Sequence, residues 1–93
     1  MKLNNMPEEN KKYYVYIILT VTNKLYCGYT DNVEKRYKLH TEGKGAKFTR
    51  ANKPLKLVYT AEFENKIDAQ KEEYRIKQLS RKEKFELIEK ASN

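Results

Sequence analysis

The chain has 93 residues, 39% of them hydrophobic, which is material for one compact core and not two. Twenty Lys and Arg against 13 Asp and Glu give a formal charge of +7, which favours a polyanionic partner, with nucleic acid the commonest. A single cysteine, Cys27, and a single histidine, His40, exclude an intrachain disulfide and a Cys/His zinc cluster, and the absence of any long apolar run excludes a membrane span.

Residues 1–11 predict a disordered leader, because Asn, Glu, Lys and one Pro give them nothing to bury. They lack the apolar stretch of a signal peptide, so a reducing cytoplasm is the expected compartment. Order is expected from Lys12. Tyr13 to Val21 predicts a strand apolar on both faces, and hence covered on both. Thr22-Asn23-Lys24 reads as a turn and Leu25 to Thr30 as a second strand, so the two form a hairpin. Asp31 is the expected N-cap of a helix from Asn32 to about Glu42, with Glu34 completing a capping box and Gly43 as the stop. Residues 43–50, Gly-Lys-Gly-Ala-Lys-Phe-Thr-Arg, read as a basic loop. Leu55 to Phe63 predicts a third strand, with Leu55, Leu57, Tyr59, Ala61 and Phe63 on one face. Asn65 is the expected cap of a helix over Ile67 to Leu79. Ser80, with Glu83, caps a last helix from Arg81 to Ala91. The order is β-β-α-β-α-α, predicting one α+β domain over residues 12–91: a small antiparallel sheet flanked by helices.

Several positions depart from ordinary patterning, as functional positions do. Glu73 shares a helix face with Ala69, Ile76 and Ser80, so a carboxylate points toward the core. There it needs a partner or a metal, and a structural ion pair to Arg36 or to a lysine is the commoner use. Val33, Arg36, Tyr37 and His40 share one side of the first helix. Arg suits phosphate oxygens and neutral imidazole accepts protons near pH 7, although a half-buried Arg and a packed His explain the same pattern. Tyr16 and Tyr26 fall on one sheet face if the hairpin loop is odd, and on opposite faces if it is even. Gly28, inside a strand, marks a close approach by a ligand or another part of the chain.

The ordered set resembles the GIY-YIG nuclease superfamily. Tyr14-Val15-Tyr16 stands at its first motif and Tyr26-Cys27-Gly28 at its second, with nine residues between Tyr16 and Tyr26. Arg36 and His40 follow on the next helix, and Glu73 stands on a late one. Tyr14 replaces a motif glycine and Cys27 a motif isoleucine. The resemblance covers Lys12 to Ala91 and is strongest to small stand-alone bacterial members, the UPF0213-like group. Those share the run at residues 43–50 and Ile76-Lys77-Gln78-Leu79-Ser80-Arg81.

The resemblance implies a metal-dependent endonuclease that hydrolyses phosphodiesters, of DNA ahead of RNA. Glu73 would hold Mg²⁺ or Mn²⁺ and Arg36 the scissile phosphate. Tyr16, supported by Tyr26, would orient or deprotonate the water; His40 is the alternative base, or the group that takes the Tyr16 proton. Lys44, Lys47, Arg50 and Lys77 would contact the nucleic acid, the first three through flanking phosphates. The competing reading is a module of the same fold that binds nucleic acid without cutting it. A monomer is expected, with a targeting partner possible.

Overall fold

The computed structural model describes residues 11–92, so the expected leader lies almost wholly outside the described residues. Three strands, β1 (Tyr13–Thr20), β2 (Leu25–Thr30) and β3 (Pro54–Phe63), form one antiparallel sheet in the order β2-β1-β3. The long helices are α1 (Val33–Thr41), α3 (Lys66–Lys77) and α4 (Arg81–Ser92), and the order read from the sequence stands. One short helix is added: α2 (Lys47–Ala51), in the segment read as a basic loop. Its five residues are too few for helical periodicity to show. No helix among the described residues is long and apolar enough to cross a membrane.

β1 is central because its sequence is apolar on both faces. Val15, Tyr16, Ile17 and Ile18 are all buried. On one face Val15 and Ile17 join Cys27 of β2 and Ala69 and Ile76 of α3, with Leu87 and Ile88 of α4 packed against them. Each aliphatic side chain buried there contributes about 1.5–3 kcal/mol. The other face carries Tyr14, Tyr16 and Ile18, opposite Thr30, Gly28 and Tyr26. There α1 and α2 pack, since His40 and Phe48 reach Tyr16 and Tyr26.

The hairpin loop is odd. Thr20 N–H donates to the Lys24 carbonyl at 2.9 Å, enclosing Val21, Thr22 and Asn23. Asn23 takes the left-handed conformation, φ 62°, which Asn tolerates and a three-residue hairpin loop needs. Tyr16 and Tyr26 therefore share a face.

Two local expectations are corrected. Asn32, not Asp31, caps α1: its side-chain oxygen accepts from Lys35 N–H at 3.0 Å, and Asp31 instead pairs with Lys11 at 2.9 Å. The third helical residue is then Lys35, so Glu34 completes no capping box. The second correction is β3, whose strict alternation is broken. Its register with β1 shifts between Ile17 and Ile18 and again between Leu19 and Thr20. Tyr59 pairs with Ile17 but Leu57 pairs with Ile18, so Leu57 leaves the face that Tyr59, Ala61 and Phe63 share. Leu55 and Leu57 end up exposed.

The other caps form as the sequence predicts. Gly43 (φ 77°) ends α1: its N–H donates to the His40 carbonyl and that of Lys44 to the Leu39 carbonyl, a Schellman arrangement. Asn65 accepts from Asp68 N–H at 2.9 Å. Ser80 and Glu83 close a reciprocal box, at 2.8 and 3.1 Å.

Candidate active site

The site is built between the central strand and α1. The Tyr16 hydroxyl lies 2.8 Å from His40 Nε2, and both side chains are buried. His40 reaches the sheet because it sits one helical turn after Arg36 on the inward side of α1. Its other nitrogen, Nδ1, lies 2.6 Å from the Thr49 hydroxyl of α2, which also donates to the Ala46 carbonyl at 3.2 Å. Arg36 donates from a terminal nitrogen to the Gly45 carbonyl at 2.9 Å, and its charge lies close enough to pull on the Tyr16 phenol. Tyr26 borders the group, its ring 5.0 Å from His40 and 6.4 Å from Tyr16. Phe48 stacks on the outer side of Tyr26 at 5.8 Å.

Electrostatics assign the protons. Burial pushes the Tyr16 phenol up to about 12, with Arg36 pulling the other way. A free tyrosinate is thus scarce at neutral pH. Burial also lowers His40 below its ordinary value, and the Arg36 charge adds to that. His40 is therefore neutral near pH 7 and able to accept a hydrogen bond from Tyr16. The same two shifts make full proton transfer between them costlier until a reacting water supplies the driving force.

Two glycines make room for this pair. A Cβ on Gly28 would stand 2.5 Å from the Tyr16 hydroxyl oxygen and 2.7 Å from Cζ, and one on Gly45 would collide with the His40 ring. The close approach marked by Gly28 is thus the Tyr16 ring. Gly28→Ala is expected to push the phenol off His40 and to destabilise the fold by about 1–3 kcal/mol, the usual cost of overpacking. A thermal melt and the imidazole NMR signals of the one histidine check this. Unchanged values for both would mean that the ring has space to yield.

Glu73 is placed differently. It lies on α3 between Ala69 and Ile76, which pack against Val15, Ile17 and Cys27, and only 19% of its side chain is exposed. Its carboxylate pairs with Lys77 at 3.2 Å, not with Arg36. Nearby Cys27 feels its charge: burial, then Glu73, pushes that thiol up to about 12. Lys77 stands beside Glu73 on α3, while Lys44 precedes α2 and Lys47 and Arg50 lie on it.

No group of three His, Cys, Asp or Glu assembles among the described residues, so the protein alone builds no full metal shell. Glu73 does suit an ion that keeps most of its waters and shares phosphate oxygens, as Mg²⁺ does. The Lys77 ammonium that such an ion displaces is half-exposed, although the Glu73 carboxylate is mostly covered, and an i,i+4 helix pair of this kind contributes only about 0.3–0.5 kcal/mol.

The comparisons with known proteins agree with this framework. The GIY-YIG catalytic domain model matches residues 12–86, most of the chain. The chain belongs to the GIY-YIG family. Within it, a UPF0213 protein of Bacillus velezensis is 48% identical over 81 residues, covering 87% of this chain and 82% of that protein. A UPF0213 protein of Clostridium perfringens is 52% identical over 79 residues, covering 85% of each. The solution NMR structure of a UPF0213 protein from Bacillus halodurans is 44% identical, with a TM-score of 0.55 over 84% of this chain and 83% of that one. This GIY-YIG chain is thus of the small UPF0213 type, and its sheet-and-helix architecture is that of the family.

Three residues of the network were not singled out in the sequence. Thr49, Gly45 and Phe48 lie in the run read as a basic loop, where charge was the visible signal. Only the short helix α2 turns Thr49 inward and lays the exposed Phe48 ring against Tyr26.

Proposed function

We propose that this protein is a metal-dependent endonuclease hydrolysing nucleic-acid phosphodiesters, DNA ahead of RNA. One observation carries the reading: a buried tyrosine hydroxyl hydrogen-bonded to a buried histidine, with an arginine charge acting on both, in a chain of the GIY-YIG family. Structural packing alone has no need for that arrangement.

The proposed division of labour follows from the geometry. Arg36 has five N–H donors in a rigid fork. The Gly45 carbonyl takes one of them at rest, and others would serve phosphate oxygens. Tyr16 is almost fully buried at rest, so the water that it serves would enter together with the phosphate that Arg36 holds. As the water oxygen attacks phosphorus, Tyr16 takes its proton and passes its own to His40 Nε2. Tyr26 walls the group beside His40. Glu73 would hold the ion, which when bound relieves charge at the leaving oxygen. Lys44, Lys47 and Arg50 lie where flanking phosphates would run, and they add affinity rather than sequence choice.

The binding-only reading has one observation in its favour. Glu73 already has an ion-pair partner in Lys77, so it needs no metal to be satisfied. A cleavage panel of branched, single-stranded and duplex substrates, with Mg²⁺, Mn²⁺ or EDTA, separates the two. Metal-dependent products support the nuclease. Retained binding with no product on any substrate supports the binder.

The basic footprint is tested apart from cleavage. Replacing Lys44, Lys47 and Arg50 together by Ala is expected to flatten the log–log salt dependence of duplex binding by roughly 0.9 for each phosphate no longer neutralised. An unchanged slope would place the footprint on another surface.

A further inference from the structure

We propose that Thr49 is a positioning residue: its hydroxyl holds His40 in the Nδ1–H tautomer, leaving Nε2 bare to take the proton of Tyr16. This rests on the nuclease reading for its purpose but not for its geometry. The argument is a count of hydrogens. Thr49 has one hydroxyl hydrogen and two neighbours within reach, the Ala46 carbonyl at 3.2 Å and His40 Nδ1 at 2.6 Å.

In one arrangement Thr49 donates to Ala46 and accepts from Nδ1–H. Nε2 is then an acceptor and the Tyr16 hydroxyl donates to it at 2.8 Å. Arg36 donates to the Gly45 carbonyl. Every hydrogen in the network has an acceptor, and no buried side-chain polar atom among the described residues is left without a partner. In the other arrangement Thr49 donates to Nδ1, so Nε2–H points at the Tyr16 oxygen. The phenol hydrogen, whose hydrogen-bond partner in the structure is Nε2, is then left with no acceptor. Tyr16 is 1% exposed, so water does not make up the loss. A stranded buried donor of this kind is disfavoured strongly enough to settle the tautomer.

Thr49 is placed for this by two features. The short helix α2 turns its side chain inward, where it is fully buried. Gly45, with no Cβ, lets the backbone close over the imidazole. The hydroxyl touches neither substrate nor reacting atoms; it acts through His40. Threonine and serine both supply it, whereas valine keeps the shape and removes it.

His40 is the one histidine, so long-range ¹H–¹⁵N spectra of the full chain report its tautomer without ambiguity. At neutral pH the wild type is expected to show a protonated Nδ1 and a bare Nε2. Thr49→Ser keeps that pattern, whereas Thr49→Val moves the population toward Nε2–H. Cleavage is expected to fall by about ten- to a hundredfold in the valine variant and to recover in the serine variant, the scale of a lost orienting partner. An Nε2–H tautomer in the wild type overturns the proposal, whether or not the variants fold. So does a valine variant with the wild-type pattern. A wild type that does not cut, with the expected tautomer and its shift in the valine variant, removes the nuclease reading and leaves the lock standing.

Discussion

Tyr16→Phe is expected to give a folded protein whose cleavage falls by about 10²–10⁴-fold, the usual contribution of positioned proton transfer. The ring stays, so its packing over Gly28 and beside Tyr26 is kept. What goes is the hydroxyl that links the attacking water to His40. His40 Nε2, fully buried, is left without a donor at a cost of about 1–3 kcal/mol. A modest fall in melting temperature beside a large fall in rate is therefore the signature. The pH profile sharpens it. His40 accepts a proton only while neutral, and its value is lowered from 6.5 by burial and Arg36. The acid limb of wild-type cleavage is thus expected below pH 6.5, where His40 becomes charged. Single-turnover rates for the wild type and Tyr16→Phe test the idea. Wild-type rates in the phenylalanine variant would remove Tyr16 from the chemistry.

Glu73→Gln has a comparably large expected effect on cleavage and almost none on the fold. Had Glu73 neutralised a buried Arg36, its removal would have stranded a charge, costing about 3–5 kcal/mol. The structure pairs it instead with Lys77, half in solvent and one helical turn away. Such a pair contributes about 0–1 kcal/mol. Melting without metal should be nearly unchanged, while metal-dependent cleavage should disappear. Binding to nucleic acid in EDTA should hold or rise, because a negative charge is gone. An active Glu73→Gln enzyme would place the metal elsewhere. A large loss of melting temperature would show that the carboxylate has a structural role beyond Lys77.

Much of the fold was legible because its signals are local. The two-faced apolar run Tyr13 to Val21 announced a central strand, and Gly43, Asn65 and the Ser80–Glu83 pair marked helix ends that the structure keeps. The hairpin question had a clear criterion, the parity of the loop, but its answer depended on Thr20 pairing with Lys24. Tyr16, Tyr26, Arg36 and His40 converge, because strand alternation and helical spacing both aim them inward. Glu73 was harder. Helical spacing shows that it faces the core, but not that its partner is Lys77 rather than Arg36. Thr49 was invisible for another reason: an uncharged hydroxyl among lysines and arginines gives no periodic signal, and only the turn of α2 brings it to the imidazole.

The interrupted register of β3 also governs what the sheet does at its border. β3 is ten residues long with one side unpaired by β1, and a strand end of that length invites pairing with another chain. Only Tyr59 to Phe63 runs in unbroken register with β1. Beyond Tyr59 toward the start of the strand come two shifts, and then Pro54, which has no N–H to offer. Lys56 and Glu62 add charge along the same margin. A second copy approaching this border meets a regular ladder over only half the strand. The chain can therefore keep Leu55 and Leu57 exposed with little risk that they seed a growing stack of strands.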